Sequence, residues 1–150
     1  MDDFEEFYVD AEPRLRRALV AALGPIRGRE AASEALAYAW EHWDRVRGMQ
    51  FPLGYLFRVG QSRTRERSTR VVFPSPAGAE MPWIEPGLGI ALSSLSEHQR
   101  VAVVLAHGFG WTHREIAELL STSPSTVQNH VERGVAKLRA ALEVETHDRP

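Results

Sequence analysis

The sequence predicts an all-α fold with two small helical domains joined by a linker rich in proline and glycine. Apolar residues recur at steps of three and four along both halves of the chain, the period of an amphipathic helix, and no segment shows a convincing strand alternation. Residues 71–90 hold four prolines and three glycines, a density that excludes a helix or a central strand. We therefore divide the 150 residues into a domain over 1–70, a linker over 71–91 and a domain over 92–150.

The composition is that of a soluble, folded protein, with 43% hydrophobic and 25% charged residues. The absence of cysteine excludes a disulfide framework, thiolate catalysis and the usual structural zinc sites, and is compatible with a reducing compartment. The acidic residues 1–6 do not resemble a signal peptide, and no apolar segment nearby is long enough to span a bilayer. We expect a cytoplasmic protein without membrane insertion.

Three helices are predicted in the N-terminal domain. The first ends at Gly24-Pro25 and carries a stripe made of Phe4, Phe7, Tyr8, Leu15, Leu19 and Leu23. The second is expected from about Arg29 to Arg45, with a face made of Ala32, Ala35, Leu36, Ala39, Trp40 and Trp43. Two tryptophans at that spacing are more typical of a core than of a ligand platform. The third helix starts after Pro52, a favourable first-turn residue, and carries Leu53, Leu56, Phe57 and Gly60.

The end of the third helix leads into the clearest basic patch of the chain. Residues 58–70 hold five arginines and one acid, whereas the whole chain has a net charge of −2, so binding of nucleic acid must come from such local patches. Arginines neutralise phosphates and aromatic rings stack unpaired bases, and three aromatic residues lie just upstream: Phe51, Tyr55 and Phe57. The segment has the composition of a surface for single-stranded DNA. The alternatives are a solvated helix face for the arginines and core packing for the aromatic residues.

The linker contains apolar residues that predict packing on the rest of the protein, with an amphipathic tether as the alternative. These residues are Phe73, Met81, Trp83 and Ile84.

The C-terminal domain shows the pattern of a helix-turn-helix. Residues 96–99 and 112–115 each have the form of a capping box, and Ser123-Pro124 combines an N-cap with a first-turn proline. After Pro124 an apolar stripe follows at steps of three and four, made of Val127, Val131, Val135, Leu138 and Leu142. A short helix, a tight turn and an amphipathic second helix define the motif.

In this motif the second helix enters the major groove of DNA, so polar residues off its apolar stripe are the candidates for contacting DNA. They are Ser125, Thr126, Gln128, Asn129, Glu132 and Arg133, with His130 and Lys137 as candidates for phosphate contacts. Residues 91–150 hold six basic and seven acidic residues, so the domain alone should bind weakly, which favours action within a larger complex. The alternative is a helical hairpin with an ordinary polar face.

The order of these parts resembles the extracytoplasmic-function (ECF) class of bacterial sigma factors. The resemblance covers nearly the whole chain, and its C-terminal motif consists of Leu95, Gln99-Arg100, Glu115-Ile116-Ala117, Thr126-Val127, Arg133 and Leu138-Arg139. In the N-terminal domain the matching positions are Glu34, Leu36, Trp40, Pro52, Tyr55-Leu56 and Arg58-Val59. The resemblance implies a promoter-melting domain, a linker, and a helix-turn-helix that reads the upstream promoter element.

The resemblance also implies partners and site residues. Bacterial core RNA polymerase would bind the second helix through Glu30, Glu34, Trp40, Glu41 and Asp44. Promoter DNA would be held in the opened downstream element by Tyr55, Arg58, Ser62, Arg63, Arg67 and Arg70, and read upstream by the C-terminal residues named above. An anti-sigma factor is a further candidate partner. No cofactor, metal ion or catalytic residue is expected.

Three other functions are alternatives. A LuxR-type helix-turn-helix regulator binding promoter DNA as a dimer has a similar recognition helix over 126–138, but residues 1–70 lack the alternating strands of its usual partner domains. An enzyme would have to use histidines and carboxylates that show no metal-ligand spacing. The third alternative is a sigma-like module that no longer acts in transcription and only sequesters a partner. It is suggested by Ser33, Ser62 and Glu66, which depart from the residues usual in the family.

Overall fold

The structure, a computed structural model, describes residues 3–64, 73 and 87–147, with side chains described as far as residue 143. Within these residues the chain forms α-helices and no strand, which confirms the predicted all-α fold. The helices are α1 (Asp3–Leu23), α2 (Pro25–Glu41), α3 (Trp43–Val46), α4 (Pro52–Thr64), α5 (Leu88–Ser93), α6 (Glu97–Val103), α7 (His113–Leu120) and α8 (Pro124–His147). A single π-helical turn, Val104–Gly108, continues α6.

Helices α1 and α2 pack side by side and α4 packs across both. A single residue, Gly24, joins α1 to α2 with a φ of 90°, a conformation that glycine adopts without strain. Where the two helices meet, a Cβ atom on Gly28 would lie 2.4 Å from the Cα atom of Val20. The expected start of the second helix near Arg29 is wrong, because Pro25 occupies the first turn of α2.

Small residues dominate the buried face of α2, as the sequence predicted. Ala32, Ala35, Leu36 and Ala39 are buried, but Trp40 is 60% exposed and only the edge of its ring meets Phe4. The expectation that Trp40 belongs to the core is wrong, because Trp40 lies in the last turn of α2, where its ring meets that of Phe4 in the first turn of α1 and stays largely exposed. Tyr8, expected on the apolar stripe of α1, is 44% exposed.

Local capping signals in the C-terminal half are confirmed by the structure. Ser96 and Thr112 each accept a hydrogen bond in a reciprocal capping box at the start of α6 and α7. The Ser123 hydroxyl accepts from the backbone N–H of Thr126 at 3.1 Å, which caps α8. Helix α5 begins at Leu88, so the last residues of the range predicted as linker are helical.

The two halves share one hydrophobic cluster. Five of its fully buried members come from both halves: Leu15 and Leu19 of α1, Leu56 of α4, Leu105 of the π-helical turn and Ile116 of α7. Contacts of α1 with α6 and of α4 with α7 close the interface between the halves. The sequence did not predict that the two halves pack closely together. That packing depends on contacts between residues far apart in the chain.

Two contacts show how closely the halves approach each other. Arg100 of α6 is 3% exposed, and its guanidinium donates to the carbonyl oxygens of Ala21 and Ala22 at the end of α1, at 2.6 Å each. Gly54 of α4 is buried against α7, where a Cβ atom would lie 2.9 Å from the carbonyl oxygen of Glu118.

Phe73 belongs to the range predicted as linker. Its ring centroid lies 5.7 Å from the guanidinium of Arg100, so Phe73 packs on the protein. The other apolar residues of this range, Met81, Trp83 and Ile84, lie outside the described residues.

Candidate nucleic-acid interface

Helices α7 and α8 pack together through a tight turn. Ser121 adopts a left-handed conformation with a φ of 55°, and the backbone N–H of Thr122 donates to the carbonyl of Ala117 at 3.0 Å. The apolar faces of the pair are buried through Ile116, Ala117, Leu119 and Val127. This packing sets the angle at which the start of α8 projects from the domain.

The first turn of α8 carries a cluster of hydroxyl groups. The Ser123 hydroxyl lies 3.0 Å from that of Ser125 and 2.9 Å from that of Thr126. Ser125 is exposed and Thr126 is half-buried. Hydroxyls and backbone N–H groups at a helix N-terminus are suited to phosphate contacts.

The polar face of α8 is exposed at the positions that the sequence singled out. Gln128, Asn129, Glu132 and Arg133 are all exposed, beside the buried Val127 and Val131. The Gln128 amide donates to the Glu132 carboxylate at 3.1 Å, a contact that orients both side chains. The face therefore presents amide, carboxylate and guanidinium groups of the kind that read base edges.

Two of the predicted phosphate contacts lie against α6 instead of pointing fully outward. The His130 ring meets His98 edge-on with 5.5 Å between ring centroids, and the Lys137 ammonium donates to the Gln99 side chain at 3.1 Å. Burial lowers the pKa of His130 below its ordinary value, and the charges of His98 and Arg133 lower it further. The environment of His130 therefore disfavours the protonated form of its ring.

In the N-terminal half the predicted DNA-binding residues of α4 lie around a tyrosine pair. The Tyr55 hydroxyl lies 2.9 Å from the Tyr38 hydroxyl of α2, and the Arg63 guanidinium lies 5.5 Å from the centroid of the Tyr38 ring. This hydrogen bond, with partial burial, raises the pKa of Tyr55 above its ordinary value. Ser62 and Arg63 are exposed.

The other residues of this predicted set have different environments. Arg58 is exposed and its guanidinium donates to the Ser121 hydroxyl at 2.8 Å, at the turn of the helix-turn-helix. Arg67 and Arg70 lie outside the described residues. Among the upstream aromatic residues, Phe57 is 2% exposed and belongs to the core, whereas Phe51 is 47% exposed.

Tyr38 itself and two residues beside the tyrosine pair, His42 and Arg45, escaped the sequence analysis. The His42 ring stacks on Tyr38 with 4.1 Å between centroids, and the Arg45 guanidinium lies 5.8 Å from the centroid of the Tyr55 ring. Together with Tyr38 they form a surface of aromatic rings and cations. The sequence did contain a signal, because Tyr38, His42 and Arg45 are spaced by four and three residues, which places them on one face of a helix. It was missed because the polar residues of the second helix were assigned only to binding of polymerase.

The predicted polymerase-binding residues spread along one side of α2 and onto α3. Glu30, Trp40, Glu41 and Asp44 are exposed and Glu34 is half-buried. Trp40, Glu41 and Asp44 line one shallow depression, and Glu34 and Glu41 line a neighbouring one. The break between α2 and α3 at His42 sets Asp44 on a separate helix.

The part of the chain that the structure describes contains no group of side chains able to hold a metal ion. None of its helices is long and apolar enough to cross a membrane.

The comparison with protein families finds a match in the C-terminal half. Residues 90–138 match the family of sigma-70 proteins, region 4. This segment is therefore similar to region 4 of sigma-70 proteins. The match extends from α5 to the middle of α8, so the exposed polar residues over 125–137 lie inside the matched segment. We call helices α5 to α8 the region 4 domain after this similarity.

The fold of the whole chain also has a counterpart among solved structures. The sigma factor RpoE from Bartonella quintana, solved in complex with the anti-sigma factor NepR, superimposes with a TM-score of 0.66. The sequences are 21% identical, and the match covers 99% of this chain and 100% of that one. No curated protein sequence matches the chain.

The region 4 match and the shared fold together confirm the resemblance to ECF sigma factors. The region 4 match favours a sigma factor over the LuxR-type alternative, and the N-terminal half shares the fold of the solved sigma factor structure.

Proposed function

We propose that the chain is a sigma factor that directs core RNA polymerase to specific promoters and initiates transcription. The observation that carries this proposal is the region 4 match over residues 90–138, with the recognition face of α8 exposed inside it. No covalent chemistry is required of such a protein, and it would act in the cytoplasm, where the polymerase transcribes.

The region 4 domain would read the upstream promoter element through α8. Gln128 and Asn129 have amide groups that match adenine edges, and Arg133 has a guanidinium that matches guanine or a phosphate. Ser125 and Thr126, at the capped start of α8, would position the helix on the DNA backbone. His130 and Lys137 would add contacts at the edge of this surface.

The surface around the tyrosine pair would hold the single strand that opens at the downstream element. Tyr55, Arg58, Ser62 and Arg63 supply an aromatic face and cations on α4, and Arg67 and Arg70 extend the positive charge along the sequence. Tyr38, His42 and Arg45 belong to the same surface by the contacts described above. Aromatic faces and arginines are what a single-strand site needs.

Core polymerase would dock on α2 and α3. Trp40 is the strongest candidate for its central contact, because a large aromatic side chain that is 60% exposed is the type of residue that dominates interfaces. The exposed Glu30, Glu41 and Asp44, with the half-buried Glu34, would supply the negative rim.

An anti-sigma factor is proposed as a regulatory partner, as in the complex of RpoE with NepR. A cleft of about 250 Å³ lies between α1, α4 and α7, lined by apolar residues such as Phe7, Phe51 and Leu53 and by the acidic Asp10 and Glu118. Its mixed lining fits an amphipathic segment of such a partner.

The experiment that tests the function is co-elution of the purified chain with bacterial core RNA polymerase at moderate salt and without DNA. Stable association, followed by transcription from a promoter selected by the reconstituted holoenzyme, is the expected result. Failure to associate, together with specific binding of the chain alone to duplex DNA, would instead support the dimeric regulator. Failure of both assays would support a module that only sequesters a partner.

A further inference from the structure

We propose that Glu132 and Gln128 of α8 read DNA as one unit, in which Glu132 holds the Gln128 amide so that both side chains present acceptor oxygens to the bases. The unit selects adenine or cytosine over guanine or thymine at two successive positions of one strand. This inference rests on the proposed function for the binding of DNA by α8, whereas the orientation of the pair is argued from a contact within the helix.

The two side chains are neighbours on the exposed face of α8. Residues four positions apart lie one above the other on a helix, and the Gln128 side-chain nitrogen donates to a Glu132 carboxylate oxygen at 3.1 Å. Both residues are exposed, whereas Val127 and Val131, which precede them by one position each, are buried in the domain. The pair therefore lies on the side of α8 that faces DNA in a helix-turn-helix.

The chemistry of the carboxylate fixes which end of the Gln128 amide faces it. An ionised carboxylate only accepts hydrogen bonds, and in an amide the nitrogen donates whereas the oxygen accepts. The Gln128 nitrogen must therefore face Glu132, because the reverse orientation would place two acceptors against each other. This orientation directs the Gln128 oxygen and the second N–H of its amide away from Glu132, toward the bases.

The charge of the first three turns of α8 makes base contacts important. Residues 124–134 hold one acid and one arginine, Glu132 and Arg133, both exposed, and the environment of His130 disfavours its protonated form. Cations that neutralise phosphates supply affinity for any DNA sequence, and this part of α8 has no excess of them. The carboxylate of Glu132 weakens that general attraction further, so binding through this face depends on contacts with base edges.

The major groove presents a different group to an acceptor oxygen at each kind of base. Adenine and cytosine present an amino group, which donates, whereas guanine and thymine present a carbonyl oxygen, which accepts. An acceptor on the protein is therefore satisfied by the amino bases and repelled by the keto bases. Gln128 gains most from adenine, because its second N–H can also donate to the N7 atom of that base. Glu132 accepts from the amino group of cytosine or adenine.

The spacing of the pair matches successive base pairs. In zinc fingers, whose helix also lies in the major groove, side chains about one helical turn apart contact successive bases, principally on one strand. Gln128 and Glu132 are separated by about one turn of α8. Two amino bases in a row on one strand are therefore expected where this pair meets the upstream element.

The first experiment tests whether the pair forms in the full-length chain. Nuclear magnetic resonance of the isotope-labelled protein detects the N–H protons of each glutamine side chain. Glu132→Ala should shift the side-chain resonances of Gln128 and leave those of Gln61, which bonds to Glu97 of α6, in place. Glu143→Ala, at an exposed position of the same helix, is the matched control and should shift neither. Unchanged Gln128 resonances in Glu132→Ala would overturn the orientation.

The second experiment measures base selection by the holoenzyme from a duplex library randomised across the upstream element. The wild type should select amino bases at two successive positions of one strand. In Glu132→Gln the new amide can donate as well as accept, so the preference at both positions should fall roughly fivefold or more, the loss of a good base contact. Glu143→Gln makes the same chemical change about three turns further along α8 and should leave both preferences unchanged.

A base analogue separates base reading from a change in charge or helix packing. Purine lacks the N6 amino group of adenine and is otherwise the same base. Purine in place of the adenine selected by Gln128 should remove the advantage of adenine in the wild type. The same replacement should cost Glu132→Gln less, because its Gln128 amide is no longer held in one orientation.

The possible outcomes separate this inference from the proposed function. Selection that does not distinguish amino from keto bases, or that Glu132→Gln leaves unchanged, would overturn the inference while the sigma factor function stands. A change confined to one of the two positions would overturn the claim that Glu132 holds Gln128. If the wild type binds core polymerase but selects no upstream sequence, the role of α8 in the proposed function and this inference are both wrong.

Discussion

The hydroxyl groups of Tyr38 and Tyr55 lie 2.9 Å apart and join α2 to α4. Tyr38 also stacks on His42 and lies under the guanidinium of Arg63. The helix proposed to bind polymerase and the helix proposed to hold the opened strand are therefore linked by a polar contact between their side chains.

Replacing one member of this pair should affect both stability and ionisation. Tyr38→Phe removes the hydrogen bond, which should lower the free energy of unfolding by about 0.5–1.5 kcal/mol. The bond favours the neutral phenol of Tyr55 and raises its pKa, so its contribution is present at neutral pH and is lost as the pH rises above the ordinary tyrosine pKa of about 10. Ultraviolet titration of Tyr38→Phe should show Tyr55 ionising at lower pH. An unchanged ionisation midpoint of Tyr55 would mean that the bond is not formed in solution.

The crossing of α1 and α2 should not tolerate a larger residue at Gly28. A methyl group there would meet the backbone of Val20 and Leu19, so Gly28→Ala should destabilise the protein by at least about 1–3 kcal/mol, the range for overpacking. Gly48→Ala, where the added group has space, is the matched control. Thermal unfolding followed by circular dichroism measures both, and equal stability of the two variants would contradict the close crossing.

The packing of His130 against α6 predicts a loss of stability in acid. Its pKa is lowered in the folded state, so the unfolded chain binds the proton more tightly and stability falls as the pH drops below the ordinary histidine pKa of about 6.5. His130→Gln should flatten the dependence of the free energy of unfolding between about pH 7 and about pH 5. His107→Gln, at an exposed position, serves as the control and should leave this pH dependence unchanged. Denaturant titrations at several pH values provide the measurement, and the same slope in both variants would refute the prediction.

Base readout by α8 should be separable from phosphate contact. Alanine at Gln128, Asn129 or Arg133 should relax the preference at one promoter position and cost about 1–3 kcal/mol there. Glu143→Ala, at an exposed position further along α8, should leave the preference unchanged. Binding of the holoenzyme to a library of promoter variants gives the readout. A loss of affinity that is uniform across sequences would assign the residue to the DNA backbone instead.

The exposed Trp40 should be a major determinant of polymerase affinity. Trp40→Ala should weaken binding to core polymerase by about 2 kcal/mol or more, the loss typical of a central aromatic contact. Ile26→Ala is the matched control, because Ile26 lies at the opposite end of α2 and its side chain is also exposed, by 76%. This change should have little effect on polymerase affinity. Equilibrium binding to labelled core polymerase compares them, and equal affinities would place the docking surface elsewhere.

Much of the helical arrangement could be predicted because its signals are local. The serine and threonine caps at Ser96, Thr112 and Ser123 depend on hydrogen bonds to residues three positions away, so a short window of sequence contains all the information. The start of α2 at Pro25 was missed because Gly24-Pro25 was interpreted only as the end of α1. In the structure Pro25 also occupies the first turn of α2. The exposure of Trp40 was missed because it depends on how the last turn of α2 packs against the first turn of α1, which the periodicity of α2 does not encode.

The sequence by itself determined the helical fold, the capped helix-turn-helix and the polar face of α8, because these follow from periodicity and from contacts within one or two helical turns. Only the tertiary structure decided that Arg100 lies at the end of α1, that Gly54 meets the backbone of α7 and that Tyr38 pairs with Tyr55. These contacts join residues far apart in the chain, and no local pattern encodes which helix ends and faces meet when the apolar stripes of both halves are buried in one core.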